Sequence, residues 1–189
     1  MIKIVLLLLL SLELFSLDYV VNPRHSYIQF GVKNMLLPYT EGLFKEFRGT
    51  FKYDEEKKHF ISLEGAVDPA TVDTQSEMRD EHLRSADFFD VKKYPIMKLH
   101  LVRHFKDKLF TKLTIKGVTK NVIFTLTDNA VGKDDKLGNH TRVFTLKATI
   151  VRQDFNIKYN AIFGPGEMMI ENNVDITLFL EGIEVRAQE

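Results

Sequence analysis

The sequence contains no cysteine and no tryptophan. Without cysteine, zinc–thiolate centres, thiol nucleophiles and disulfide staples are all excluded, so stability must come from the core alone. An excess of charge of one sign is equally lacking, because 26 Lys and Arg balance 26 Asp and Glu. The basic surplus that phosphate-rich partners select is missing, which argues against nucleic acid. No Pro/Gly/Ser-rich linker divides the chain, and 189 residues suit one domain of ordinary size. Gly-x-Ser-x-Gly elbows, phosphate-cradling glycine loops and His-Glu-x-x-His elements are also absent, so no motif speaks for a catalytic centre, a cofactor or a metal.

What the chain does have is apolar bulk. Hydrophobic residues make up 44% and include 15 Phe. That composition excludes a disordered chain and a multi-span membrane protein, and it implies a large apolar interior. The one long apolar run is MIKIVLLLLLSLELFS, Met1 to Ser16. A single Lys3, an uninterrupted apolar stretch to Leu10 and a closing small residue describe a secretory signal peptide. The run is shorter than the ~20 residues that span a bilayer and is broken by Ser11 and Glu13, so permanent membrane insertion is not expected. Cleavage near Ser16 would leave residues 17–189 as a single exported domain.

Period-two alternation runs through the remainder. Ile28, Phe30 and Val32 are spaced as one buried face of a strand, as are Phe47, Phe51 and Tyr53, and Ile61, Leu63 and Val67. The pattern returns with Met97, Leu99 and Leu101, with Leu109, Leu113 and Ile115, and with Val122, Phe124 and Leu126. Phe144, Leu146 and Ile150, then Val174, Ile176 and Leu180, complete it. Polar stretches at 54–58, Lys106 to Lys108, Lys116-Gly117 and 132–139 supply turns, so the pairing is antiparallel. About eight strands suit a barrel or sandwich. Two stretches break the alternation: Thr74 to Lys93, read as one or two short helices across the sheet, and Arg152 to Glu167, read as a loop around Gly164-Pro165-Gly166.

His100 and His104 have the spacing of a helical metal pair, yet on a strand they stand about 13 Å apart. Both read as solvent-facing strand residues. Arg79, Asp80, His82, Arg84 and Asp87 crowd the helical segment and read as a salt-bridged surface. The irregular stretches are unusually apolar, with Phe88 and Phe89 in one and Phe155, Ile157, Ile162 and Phe163 in the other, while Met35, Leu36 and Leu37 sit at a strand end. Apolar loops cover a core or line a cavity mouth. An eight-stranded barrel is just wide enough to pack shut or to hold one small ligand, and the residues leave both open.

The segment Tyr19 to Phe30 resembles the opening strand of the YceI-like family, described as periplasmic polyisoprenoid-binding proteins. Arg79-Asp80-Glu81-His82-Leu83 through Asp87-Phe88-Phe89-Asp90 to Tyr94-Pro95, then Leu113 to Lys120, then Arg152-Gln153-Asp154-Phe155, are similar to its further motifs. Asn34 stands where many members carry His, and Asn156 where many carry Gly. The resemblance implies an all-β, lipocalin-like extended antiparallel barrel of about eight strands with a short helical segment. It also implies a periplasmic, non-enzymatic role: the pore holds an isoprenoid, a prenyl quinone or a fatty-acid-derived lipid, for storage, transport or stress protection, and a homodimer is compatible with it. On that reading Phe30, Val32, Phe47, Phe51, Leu63, Phe88, Leu113, Phe124, Leu146, Phe155 and Ile176 line the pore. Arg79, His82, Asp87 and Arg152 contact a head group or hold the structure together. The rival reading is an enzyme acting on a lipophilic substrate at the barrel mouth, with His82 as acid/base and Arg79 or Asp87 orienting it.

Overall fold

Each alternating segment becomes a strand, and the strands join into one antiparallel sheet that closes on itself. The structure is a computed structural model describing residues 16–34, 39–133, 140–160 and 170–185. Expectations that fall on Met1 to Phe15, on Met35 to Leu37, and on Ile162 to Gly166 lie outside the described residues.

Three of the barrel's strands are bent into two parts. Strands β1 (Ser16–Val21) and β2 (Tyr27–Asn34) both pair with β11 (Ile170–Glu184), β1 through Tyr19↔Glu184 and β2 through Phe179↔Tyr27. The break between them is pinned where the Asn22 backbone N–H donates to Glu181 O at 2.7 Å and its side chain donates to Glu181 Oε1 at 2.8 Å. Pro23 follows and cannot donate to a ladder. Strands β3 (Thr40–Phe44) and β4 (Phe47–Asp54) run back along β2 and β1, interrupted at Lys45-Glu46. Strands β5 (His59–Val67) and β6 (Val72–Asp73) repeat the device against β4 and β3. Tight hairpins join β7 (Met97–Phe105) to β8 (Lys108–Ile115) and β8 to β9 (Val118–Lys133), β10 (His140–Val151) pairs antiparallel with β9, and β11, which follows the turn at Arg152–Phe155, pairs antiparallel with β10. Counting each bent pair once, eight strands close the barrel when β11 meets β1. The eight alternating segments of the sequence are all strands. Three strands lie outside those alternating segments: β1, whose Tyr19 to Val21 falls in the segment read by resemblance, and β3 and β6, which are five and two residues long.

The helical segment is one helix, α1 (Glu77–Arg84), followed by turns. It is moored by a buried carboxylate: Asp80 Oδ1 accepts from the Thr74 backbone N–H at 2.9 Å and from Thr74 Oγ1 at 2.5 Å. Arg79 grips the same residue, donating from Nε to Thr74 Oγ1 and from Nη2 to Thr74 O. The expected all-exposed charge cluster is therefore corrected at Asp80. Burial of a carboxylate requires such partners, and Thr74 provides both of them.

A second correction concerns His104. A bulge between Leu101 and Arg103 inserts one extra residue into β7, so Val102 and Arg103 are both exposed and the next side chain turns inward. His100 faces solvent as expected, but His104 is buried. Its Nδ1 accepts from the Phe60 backbone N–H at 3.0 Å, and its other ring nitrogen donates to Lys106 O at 2.6 Å. Both ring positions are satisfied only by a neutral imidazole, and burial together with the neighbouring His59 ring holds the proton affinity below the usual value.

The hairpin end of the barrel, where β4 meets β5 and β7 meets β8, is packed solid. Phe51, Tyr53, Phe60 and Phe144 pack ring on ring with centroids 4.6–5.7 Å apart. Over them lies Arg142, 3% exposed at its side chain, bridging Glu55 at 2.9 Å and Asp128 at 3.4 Å and stacking on Tyr53 at 4.6 Å. Tyr19 donates to Glu55 at 2.7 Å. Burial pushes the Tyr53 phenol up to about 12 and raises that of Tyr19 further, the latter helped by its bond to Glu55. These groups form the floor.

Candidate functional site

Above the floor, the barrel is hollow. A cavity of about 170 Å³ lies between the sheet walls and the end capped by α1, the turns that follow it and the segment after β10. Its wall is almost entirely carbon. The polar residues along the wall, such as Gln29, Glu64 and Lys98, alternate with inward Phe30, Leu63 and Leu99, so they contribute backbone there while their side chains lean outward.

One glycine, Gly65, opens much of the space, while Val21 packs over its partner Gly49. Gly49 and Gly65 face each other across β4 and β5 at positions where alternation points a side chain inward. A Cβ on Gly65 would meet only Leu99 Cβ at 3.6 Å and Arg48 O at 4.0 Å, ordinary contacts, with the free volume beyond. The sequence carried this signal, since both glycines sit in register with inward Phe and Leu, but a missing side chain is easily read as neutral.

Of the eleven residues expected on the pore wall, the structure places Phe30, Val32, Phe47, Leu63, Phe88, Leu113, Phe124 and Ile176 there. Phe88 is buried and inserts from the turns after α1. Three are elsewhere. Phe51 and Leu146 point inward but lie in the packed core, Phe51 within the floor's ring cluster, and Phe155 anchors the turn after β10. Alternation fixes the side of the sheet a residue faces but not its height along the barrel axis.

The polar candidates divide similarly. Arg79 is bound up with Thr74. His82 pairs with Asp87 at 3.0 Å and packs its ring against Phe88 and Tyr159, with both members of the pair about half exposed. Asp87 therefore ties the segment to itself, while Lys116 Nζ, donating to Ala86 O at 2.8 Å, ties it to the barrel. Arg152 is the polar side chain most intimate with the cavity. It is 4% exposed and donates to four carbonyls: Glu171 O at 3.0 Å, Ile157 O at 3.0 Å, Tyr159 O at 2.6 Å and Ile170 O at 3.2 Å. Carbonyl dipoles rather than a carboxylate satisfy it, and burial lowers its proton affinity. Its guanidinium clasps the two segments that rim the cavity. The turn it holds ends at Asn156, whose φ of 59° is left-handed, a conformation Asn tolerates and Gly adopts freely.

A model of the YceI-like domain matches residues 19–182. The chain belongs to the YceI-like family. Protein YceI of Escherichia coli O157:H7 is 32% identical over 174 residues, covering 88% of this chain and 87% of that relative. Among solved structures, the YCEI protein of Campylobacter jejuni superposes with a TM-score of 0.68 at 27% identity, over 77% of this chain and 85% of the other. A polyisoprenoid-binding domain from Saccharophagus degradans shares the fold at 11% identity, with a TM-score of 0.64 over 89% and 99% of the two chains. The YceI-like barrel, closed at one end and hollow at the other, is the architecture of this chain. Among the described residues no helix is long and apolar enough to cross a membrane, and no group of three His, Asp or Glu side chains is placed to hold a metal ion.

Proposed function

We propose that this YceI-like protein is exported through the leader Met1 to Ser16 and, in the periplasm, shields the tail of an isoprenoid or similar long-chain amphiphile. The observation that carries the reading is the one-ended apolar cavity. Burying hydrocarbon there is favourable by roughly 25 cal/mol per Å² and needs no polar partner. A volume near 170 Å³ is comparable with the ~150 Å³ apolar cavity that takes up one benzene, so it encloses one end of a tail whose remainder runs toward the rim. Arg152 and the His82–Asp87 pair lie on the segments that cap the cavity, and the polyisoprenoid-binding domain of Saccharophagus degradans, which shares the fold, agrees with an isoprenoid tail. Apolar walls discriminate weakly between tails of similar girth, so prenyl quinones and fatty-acid derivatives compete for the same space.

The test fills the cavity from within. Gly65→Leu projects a side chain into the free volume with little backbone disturbance. Organic extracts of protein purified without denaturation, analysed by mass spectrometry, should give a stoichiometric lipid from the wild type and little from Gly65→Leu at unchanged melting temperature. Equal lipid from both, or none from the wild type, refutes the proposal. The enzyme reading rests on the His82–Asp87 pair alone, and turnover of the extracted lipid that His82→Ala abolishes would establish it instead.

A further inference from the structure

Balanced net charge conceals a strong separation across the barrel. From Met97 to Asn121 the chain carries seven cations (Lys98, Arg103, Lys106, Lys108, Lys112, Lys116 and Lys120) against the single carboxylate Asp107. Strand β11 carries Glu171, Asp175 and Glu181 on its outward side and no Lys or Arg, while Glu184 shares the inward side of its partner Tyr19. In the closed strand order, β11 lies four strands from β7 in either direction, so the two charged surfaces face opposite ways.

The basic face is also apolar at its centre. Register aligns Arg103, Phe110 and Ile123 across β7, β8 and β9. The bulge that buries His104 turns Val102 outward beside them, and Val102, Phe105 and Ile123 are 57%, 54% and 52% exposed. Arg103 lies over the Phe110 ring at 4.2 Å, so cation and aromatic share one spot. Lys98 and Lys112 lie toward the cavity end of this row, and Lys106 and Lys108 lie toward the hairpin end. An apolar stripe with basic residues on both sides matches an anionic bilayer surface: the rings enter the headgroup layer while the ammonium groups meet lipid phosphates.

We infer that the outer face of β7–β8–β9 docks on a membrane rich in anionic phospholipid. The strip ends at Lys116, which holds the turn over the cavity, so docking sets the rim of the barrel beside the lipid surface. The inference needs only the face's charge and apolarity, and it stands or falls separately from the cavity's ligand.

Sedimentation with vesicles tests it. Full-length proteins with identical leaders are mixed with vesicles of phosphatidylcholine alone, or of three parts phosphatidylcholine to one part phosphatidylglycerol. Wild type should prefer the anionic vesicles and release them as salt rises. The triple variant Lys98→Gln, Lys106→Gln, Lys112→Gln should bind them about a hundredfold more weakly, since each surface cation near such a membrane contributes a severalfold factor. Phe105→Ser with Ile123→Ser should weaken binding while keeping its salt dependence. Removing three cations elsewhere, Lys52→Gln, Lys58→Gln and Lys147→Gln, should leave it unchanged. Equal binding to both vesicle types, equal loss in the control triple variant, or no vesicle binding would overturn the inference, the last leaving an acidic protein partner as the alternative occupant. Because retained lipid is measured by extraction and docking by sedimentation, failure of one leaves the other readable.

Discussion

The two ends of this barrel are made from the same kinds of residue and behave oppositely. At the floor, Phe51, Tyr53, Phe60 and Phe144 interlock and Arg142 with Glu55 and Asp128 closes over them. Toward the other end, Phe30, Phe47 and Phe124 stand around free space, which Gly65 leaves open by lacking a side chain. Aromatic content therefore does not distinguish a core from a pocket. What distinguishes them is whether the residue opposite supplies the atoms that would complete the contact.

Removing a ring separates the ends most sharply. Phe144→Ala, in the floor, should cost about 4 kcal/mol in denaturant unfolding, the usual cost of a large void in a close-packed core. Phe47→Ala should cost about 2 kcal/mol or less, because part of its surface already faces free volume, and should instead reduce the lipid retained. Equal costs at both sites would break the comparison. Next comes the floor's charge. Arg142→Met leaves Glu55 and Asp128 without their cation and should cost about 3 kcal/mol, and much of that should return when Glu55→Gln and Asp128→Asn are added. No recovery in the triple variant would show that Arg142 acts through packing on Tyr53 and Phe144.

His104 sharpens the comparison through pH. Its folded-state pKa lies below the ordinary 6.5, so between those two values the unfolded chain binds the extra proton. Its contribution is present above pH 6.5 and is lost as pH falls through the lowered value. His104→Gln should flatten that part of the stability profile measured by thermal melts, and an unchanged slope would assign it to other groups. The smallest effect belongs to the rim. Asn156→Gly should preserve or slightly raise stability, whereas Asn156→Val, which forces a β-branched residue to φ near 59°, should cost about 1 to 2 kcal/mol. Identical melting of the two variants would show that the turn relaxes.

Much of the fold was legible because a half-buried strand writes itself in period two, and the YceI-like motifs cover the segments where alternation fails. The errors have local physical causes. His104 was misplaced because one bulged residue inverts the parity of everything after it. Strands β3 and β6 are too short for alternation to rise above chance. Periodicity gives Phe51 and Leu146 the inward side but not their depth, and both lie outside the cavity wall. The floor's charge network was invisible because Glu55, Asp128 and Arg142 are far apart in sequence and meet only through strand register. Asp80 looked like surface charge because nothing in a helical charge run marks the one carboxylate that turns to meet a threonine.

Closure of the barrel joins the beginning of the described chain to its end: Val21 pairs with Gly182, about 160 residues away, and such long-range pairing is slow to form. Until the last strand arrives, β1 carries an unpaired edge, an open template for another chain's backbone. On the export proposed above, β1 would emerge first and wait for the fifteen-residue β11 to follow. Folding speed and protection from aggregation are thus governed by the latest segment to be delivered. A chain truncated before Ile170 should form insoluble assemblies rather than a smaller barrel.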